Sequence, residues 1–223
     1  MRATGSIPGF LPSVHGLLFP NRFADAPAIR VRLGPFGPLG VGNAGDGLCG
    51  GMCRVVVARW RRGERPPAQD QPPLPGTPLF RALVRAQVES LDGLRAPLRF
   101  YSLQAFRPER PDPLARVFGR RTRTHETVRA WRSIRAAIDA GEPAIVGLVR
   151  ALGTDPRLLP RHHQVVAWAY EVESDRLRLR IYDPNHPGRD DVELRLRLAV
   201  DRRWPATMLQ TTGEPLEAFF HLA

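Results

Sequence analysis

The sequence predicts an α+β fold in which helices of the N-terminal part pack on an antiparallel sheet of the C-terminal part. Three observations support this class. Apolar residues recur at helical spacing in segments between residues 49 and 140. From residue 144 onward the spacing changes to the alternation that is typical of strands. Helices come first and strands second, which is the order of an α+β protein rather than of alternating βαβ units.

The size and composition of the chain agree with one domain. Its 223 residues are 43% hydrophobic, which is enough to bury a core without disulfide bonds. We expect a single domain over residues 1–223, made of a wrapping segment at 1–40, a mainly helical part at 41–141 and a mainly β part at 142–223. The two cysteines are only four residues apart, so they favour a reducing compartment over a disulfide scaffold.

The helices are predicted from apolar spacing and from the residues at their ends. They are expected over residues 49–61, 77–91 and 126–140. Thr77 and Pro78 are typical of a helix start. Gly93 and Gly141 are the residues at which the second and third helices are expected to stop.

Strands are predicted before and after these helices. One is expected at residues 28–33, within the Pro- and Gly-rich N-terminal segment, and residues 107–123 are expected to be an exposed excursion. The main strands are predicted at residues 144–150, 163–172, 176–182 and 191–199. The apolar segment 216–222 is expected to dock on the core.

Cys49 is the candidate nucleophile because it stands at the start of the first predicted helix. Unpaired N–H groups and the positive end of the helix dipole lower the pKa of a thiol at that position. Gly47, Gly50 and Gly51 leave room beside it for a substrate backbone. Cys53, one turn later, is predicted to be a core residue. The competing interpretation is that Cys49 too is a small buried hydrophobe.

His163 and Asp183 are the candidate partners of this thiol. His163 opens an apolar strand, where its imidazole can accept the thiol proton, while His162 faces the other way. Arginines alternate with leucine and isoleucine over residues 176–182, and Asp183 continues the inward-facing series. A carboxylate on the core side needs a partner, and a histidine ring nitrogen is a natural one. The alternative is that Asp183 only forms the turn before Pro184.

A Cys-Gly step at residue 49, His163 before an apolar strand and a Tyr-Asp-Pro run ending at residue 184 occur in the order found in papain-like cysteine peptidases. Residues 43–185 resemble that superfamily and, within it, the bacterial C39-like peptidases. The resemblance implies a papain-like fold and a thiol-dependent hydrolase or acyltransferase that acts on a peptide, isopeptide or other amide bond. It implies a Cys49–His163–Asp183 catalytic triad.

The same resemblance implies further site residues. The family has an amide side chain six residues before the nucleophile, typically Gln, that helps to bind the oxyanion, and Asn43 occupies that position here. Gly50, Gly51, His162 and Asn185 are candidate substrate-binding residues. No cofactor is expected. A Cys-x3-Cys pair without a second ligand pair at zinc spacing also predicts no metal.

Two alternatives to this function concern the same site. Plant-type papain motifs carry an earlier cysteine, and in that register Met52 would stand at the nucleophile position and the protein would be inactive. It would then be a papain-like domain that binds a peptide or protein partner. Asn43 and the Cys-Gly step favour the register with Cys49. The other alternative is an effector or toxin that uses the same triad on a host or rival protein.

The charge and the N-terminus bear on partners and location. The formal net charge of +11 is carried by arginine alone, since none of the 33 basic residues is lysine. With abundant Ala, Pro and Gly this indicates a GC-rich genome, so nucleic-acid binding is the less favoured function and a peptide or protein substrate the favoured one. The sequence has neither the apolar stretch of a signal peptide nor a membrane-spanning run, so we expect a cytoplasmic protein or one exported without a leader.

Overall fold

The computed structural model describes residues 2–25, 27–32, 38–107, 122–198 and 208–222. The α-helices in these ranges are α1 (Pro12–His15), α2 (Cys49–Arg61), α3 (Pro78–Ser90), α4 (Arg95–Tyr101) and α5 (Arg123–Asp139). The strands are β1 (Arg2–Ser6), β2 (Pro27–Arg32), β3 (Pro38–Asn43), β4 (Ala144–Val149), β5 (His163–Glu173), β6 (Arg176–Tyr182), β7 (Glu193–Arg197), β8 (Met208–Gln210) and β9 (Ala218–Leu222). Within these ranges, no helix combines the length and the apolar composition that crossing a lipid bilayer requires.

Seven of these strands form one antiparallel sheet in the order β8-β7-β6-β5-β4-β9, and β1 also pairs with β5. β5 is the central strand, with β6 along one side. β4 and β1 share its other side, β4 beside residues 163–167 and β1 beside residues 169–173. The observed architecture is therefore helices together with an antiparallel sheet, in agreement with the predicted α+β class.

The position of α2 is set by an apolar face and by two glycines. Its buried residues beyond these glycines are Met52, Cys53, Val56 and Val57. A Cβ atom at Gly51 would lie only 2.2 Å from the carbonyl oxygen of Leu83 in α3. A Cβ atom at Gly50 would lie 2.8 Å from the side chain of Gln164 in β5. The first turn of α2 is therefore held closely between α3 and the sheet.

The periodicity of the sequence predicts most of these elements. α2 begins and ends where predicted, and α3 and α5 agree with their predicted ranges to within three residues. The strand expected at residues 28–33 corresponds to β2, and the four main strands correspond to β4, β5, β6 and β7. The segment at 216–222 docks as β9, which pairs with β4. These predictions are confirmed.

One expectation about an exposed segment is corrected, and a second falls mostly outside the described residues. The N-terminal segment does more than wrap the surface, because β1 joins the sheet and Ile7 and Phe10 are buried in the core. β1 was not predicted, since its residues lack apolar alternation and backbone pairing with β5 holds it. Residues 108–121 of the expected excursion lie outside the described residues. At its end Arg123 is buried and donates to the Arg107 carbonyl oxygen at 2.6 Å.

The arginine-rich face of β6 and β7 carries interleaved carboxylates. Arg178 stands opposite Arg195 in the register of the two strands. Arg195 nevertheless lies 2.8 Å from Glu193, and Arg197 lies 2.6 Å from Asp175. Such exposed pairs contribute little to stability, but they divide the positive charge of the face. This pattern is typical of a solvated sheet surface.

Candidate active site

The start of α2, the start of β5 and the end of β6 bring Cys49, His163 and Asp183 together. The Cys49 thiol is hydrogen-bonded to the His163 ring. His163 Nε2 lies 2.6 Å from Asp183 Oδ1. Because Nε2 faces the carboxylate, Nδ1 is the ring nitrogen that is left to face the thiol. The three residues form one hydrogen-bonded chain.

No family model, curated protein or solved structure matches this chain.

Strand register explains how residues so far apart in sequence meet. The β5–β6 register places Val166 opposite Tyr182. Asp183 therefore follows the end of β6 at the same end of the strands at which His163 begins β5. The first turn of α2 lies at that same end of the sheet, and the Cys53 thiol one turn later contacts the carbonyl oxygen of Gln164. The site is therefore fixed by three element ends.

Cys49 is partly exposed, and the pKa of its thiol is lowered. Burial acts to raise this pKa, because it disfavours the thiolate. The charge and hydrogen bond of His163 act in the other direction, as do the backbone N–H groups of Gln164 and Gly50, and together they lower the pKa below its ordinary value. The environment thus favours the thiolate, which is the nucleophilic form of cysteine.

His163 and Asp183 are buried and share their ionisation with the thiol. Burial acts to lower the pKa of His163, but the charges of Asp183 and Cys49 and hydrogen bonds to both raise it to about 9. Burial likewise acts to raise the pKa of Asp183, whereas His163, the Asn185 N–H group and Arg150 hold it well below its usual range. Near neutral pH the imidazolium of His163 and the carboxylate of Asp183 are therefore the favoured forms, and the imidazolium in turn favours the thiolate of Cys49.

The environment of Asp183 contains two residues that the sequence does not single out. Asp183 Oδ1 accepts from the Asn185 N–H group at 2.8 Å, and Oδ2 accepts from Gln210 Nε2 at 2.7 Å. An Arg150 guanidinium nitrogen lies 3.6 Å from Oδ2. Gln210 belongs to the three-residue strand β8, which is too short to show a sequence period. Nothing in the sequence pattern places it behind Asp183.

Cys53 and Met52 occupy the core rather than the site. Cys53 is fully buried, its Sγ donates to the Gln164 carbonyl oxygen at 3.2 Å, and burial raises its pKa well above the ordinary value. The prediction that Cys53 is a core residue is confirmed. Met52, the nucleophile position in the alternative register, is also fully buried.

Asn43, the predicted oxyanion residue, lies beside the same cavity as Cys49. It is exposed, its Nδ2 donates to Asp25 Oδ1 at 3.0 Å, and its Oδ1 accepts from the Gly45 N–H group at 2.9 Å. The carboxamide thus caps the turn that leads to Cys49. Its role toward an oxyanion stays a prediction.

The predicted substrate-binding residues have contacts of their own. Gly50 and Gly51 face α3 and β5, which gives their small size a packing reason. His162 Nε2 donates to Gln104 Oε1 at 2.8 Å, and its Nδ1 accepts from the Arg150 N–H group at 3.3 Å. Their substrate contacts stay predictions.

Asn185 is in the turn after β6 and is not among the described residues that line the same cavity as Cys49. Its N–H group supports the carboxylate, and its Oδ1 accepts from Asn21 Nδ2 at 3.3 Å. Asn21 Oδ1 in turn accepts from the Leu48 N–H group at 2.6 Å, next to Cys49 in the chain. Asn185 thus connects the turn after β6 to the start of α2. A direct contact with substrate stays a prediction for this residue also.

An apolar cavity of about 370 Å³ opens beside the thiol. Cys49 and His163 form one edge of it, and Asp46 is the one acidic residue along its described lining. The opposite walls come from α3, α4 and the turn at Pro156–Arg161, with Val88, Leu91, Pro97, Phe100, Leu159 and Pro160 as the apolar lining. The cavity therefore suits an uncharged, apolar group held next to Cys49.

Asp183, His186 and Glu214 have potential ligand atoms within 4.8 Å of one another. His186 Nε2 bonds to Glu214 Oε1 at 2.5 Å, and both oxygens of Asp183 already accept hydrogen bonds. We therefore assign this cluster to hydrogen bonding that supports the turn after β6, since its donors and acceptors satisfy one another.

Proposed function

We propose that this protein is a papain-like, thiol-dependent hydrolase or acyltransferase that acts on a peptide or other amide bond. The observation that carries the proposal is the hydrogen-bonded chain from Cys49 through His163 to Asp183, placed at the edge of an apolar cavity. A nucleophile, a base and an orienting carboxylate in this sequence of contacts are the parts of nucleophilic acyl transfer.

The first half of the reaction follows from the charge state of the site. The Cys49 thiolate attacks the carbonyl carbon of the substrate, a C–S bond forms, and the carbonyl electrons move to oxygen. As the tetrahedral intermediate collapses, the amide C–N bond breaks and the amine takes the proton of the His163 imidazolium. An acyl-thioester on Cys49 and a neutral His163 remain.

The second half of the reaction uses the neutral His163 as a base. Water gives a proton to His163 while its oxygen attacks the thioester, and the thiolate leaves with the C–S electron pair. An amine in place of water turns the same step into acyl transfer. Asp183 stabilises the imidazolium in both halves and keeps the ring oriented. The backbone N–H group of Cys49, at the start of α2, is the proposed main-chain donor to the developing oxyanion.

The cavity supports a substrate whose acyl part carries an apolar group. Much of its wall is aliphatic or aromatic, and its volume of about 370 Å³ is of the size that holds one large side chain or a short acyl chain. On the arginine-rich face of β6 and β7, carboxylates pair with arginines and divide the positive charge. This face therefore supports nucleic-acid binding less than the cavity supports acyl transfer.

The test is to look for the acyl-enzyme. The protein is incubated with activated esters and with peptide anilides that carry an apolar acyl group, and intact mass and peptide mapping locate the added acyl group. We expect acylation of Cys49 and release of acid on longer incubation. Cys49→Ala is expected to abolish both, and the matched variant Cys53→Ala is expected to retain both. Acylation of neither cysteine, or equal acylation in Cys49→Ala, would overturn the proposal.

A further inference from the structure

Strand β8 places a buried amide directly behind the carboxylate of Asp183. Gln210 is only 2% exposed. Its Nε2 donates to Asp183 Oδ2 at 2.7 Å and to Thr212 Oγ1 at 2.7 Å. Its Oε1 accepts from an Arg150 guanidinium nitrogen at 2.9 Å. Both N–H groups and the carbonyl oxygen of this side chain are therefore occupied.

The partners of Gln210 fix which way its amide points. A flipped amide would turn Oε1 toward the Asp183 carboxylate and Nε2 toward the Arg150 guanidinium. Acceptor would then face acceptor and donor would face donor, in a region where water has little access. Only the observed orientation gives each buried atom a complementary partner, so Gln210 is a rigid link between the two charged groups.

Arg150 is the cation that this link separates from Asp183. Its side chain is 11% exposed, and a guanidinium nitrogen stands 3.6 Å from Asp183 Oδ2, beyond a normal hydrogen bond. Guanidinium and carboxylate groups prefer a direct bidentate contact. Such a contact would take Oδ2 and turn the carboxylate, and the charge of Arg150 would then oppose the His163 imidazolium that the carboxylate stabilises.

The other ionisable groups near Asp183 are engaged or uncharged. Burial raises the pKa values of Cys53 and Tyr182 well above their ordinary values, so both are neutral at physiological pH. His186 is bonded to Glu214. Across the described residues that surround the carboxylate, His163 and Arg150 are therefore the cations that compete for it.

We propose that Gln210 is a positioning residue that holds Asp183 toward His163 and keeps Arg150 from pairing directly with this carboxylate. The inference rests on the proposed function, because it assigns Gln210 to the same triad. Gln210 acts through Asp183 and makes no contact with substrate. Its loss alters the charge state of the thiol by way of Arg150.

The test is a double-mutant cycle between Gln210 and Arg150, read by the pH dependence of Cys49 alkylation with iodoacetamide. Gln210→Met keeps the length of the side chain and removes its hydrogen bonds. We expect it to move the midpoint of alkylation upward by about one pH unit, a tenfold change in thiolate population. Arg150→Met alone is expected to change the midpoint little. The double variant is expected to recover at least half of the shift.

Three controls separate positioning from mere structural support. Leu209→Ala on the same strand, at a side chain that is 44% exposed, is expected to keep the wild-type midpoint. Thermal unfolding identifies variants that do not fold, and Gln210→Leu replaces Gln210→Met throughout the cycle if the latter fails. Rates are measured for folded protein only.

The outcomes distinguish this inference from the proposed function. Two outcomes would overturn the role of Gln210 while leaving the proposed triad in place. One is a folded Gln210→Met variant whose alkylation midpoint equals that of the wild type. The other is a double variant whose midpoint is shifted as far as that of Gln210→Met alone. A wild-type midpoint at the free-thiol value of about 8.5 would overturn the proposed function together with this inference. A shift that Arg150→Met relieves supports both.

Discussion

Cys49 and Cys53 lie one turn apart on the same helix and have opposite properties. Cys49 begins α2, is partly exposed, and has a lowered pKa beside His163. Cys53 lies deeper, is fully buried, and has a raised pKa, and its thiol donates to a backbone carbonyl oxygen. The comparison teaches that a shared helix face does not decide reactivity. The end of the helix and the cationic partner decide it.

The replacement of His163 should remove most of this difference. In His163→Ala we expect the rate of Cys49 alkylation near neutral pH to fall about 100-fold, because the thiolate loses its counter-ion and hydrogen bond. Alkylation of Cys53, followed by peptide mass spectrometry, should stay slow in both proteins. His221→Ala, a histidine far from the triad in the chain, is the matched control. Equal rates of Cys49 alkylation in wild type and His163→Ala would contradict the proposal that His163 is the base.

The cavity beside Cys49 should sharpen the comparison, since Cys53 has no access to it. Val88 lines the cavity and is 41% exposed, so Val88→Glu is expected to fold and to place a charge on an apolar wall. We expect labelling of Cys49 by a chloromethyl ketone with a large apolar acyl group to slow about tenfold. Labelling by iodoacetamide should be unchanged. Leu94→Glu, exposed and outside the cavity lining, is the control, and an equal effect there would contradict the cavity assignment.

High pH should weaken the ion pair that distinguishes Cys49. The pKa of His163 is raised from 6.5 to about 9 in the folded protein. The stabilisation that comes from imidazolium is therefore fully present below about pH 6.5 and is lost as the pH rises through about 9. We expect the difference in free energy of unfolding between wild type and His163→Gln to shrink over that range. Denaturant unfolding at successive pH values measures it, and a constant difference would contradict the raised pKa.

Cys53 itself should matter least to the chemistry. Cys53→Ala removes a buried sulfur and its contact with the Gln164 carbonyl oxygen, so we expect a loss of about 1–2 kcal/mol in the free energy of unfolding. The pH midpoint of Cys49 alkylation should stay at the wild-type value. Thermal unfolding and iodoacetamide kinetics measure the two effects. A large change in the Cys49 midpoint would show that the two thiols are coupled more strongly than their contacts indicate.

Periodicity predicted the parts of the site that lie at the ends of long elements. The apolar spacing of α2 located Cys49, and the alternation in β6 indicated that Asp183 points inward, toward His163. Whether these residues carry catalysis stays a prediction. Short elements held by backbone pairing or by tertiary contacts gave no such signal, and for this reason β1, α4 and β8 were missed. Gln210 belongs to this second group.

The contact between Arg150 and Gln210 shows a further limit of sequence reasoning. Arg150 follows β4, and 60 residues separate it from Gln210. In a chain with 33 arginines, composition does not single out one that is nearly buried. Its position depends on tertiary packing of β4 and β8 around the turn after β6, which residue spacing does not encode.

The order of the three residues of the proposed triad along the chain has a consequence during synthesis. Cys49 leaves the ribosome 134 residues before Asp183, a number obtained as 183 minus 49. At about 5–20 residues per second, that interval lasts on the order of ten seconds. His163 is made 20 residues before Asp183, a number obtained as 183 minus 163, so the counter-ion is absent for most of this time and the carboxylate for all of it. We therefore expect the nascent Cys49 to behave as an ordinary thiol. Cys49 is therefore expected to become reactive only after the sheet that contains His163 has formed.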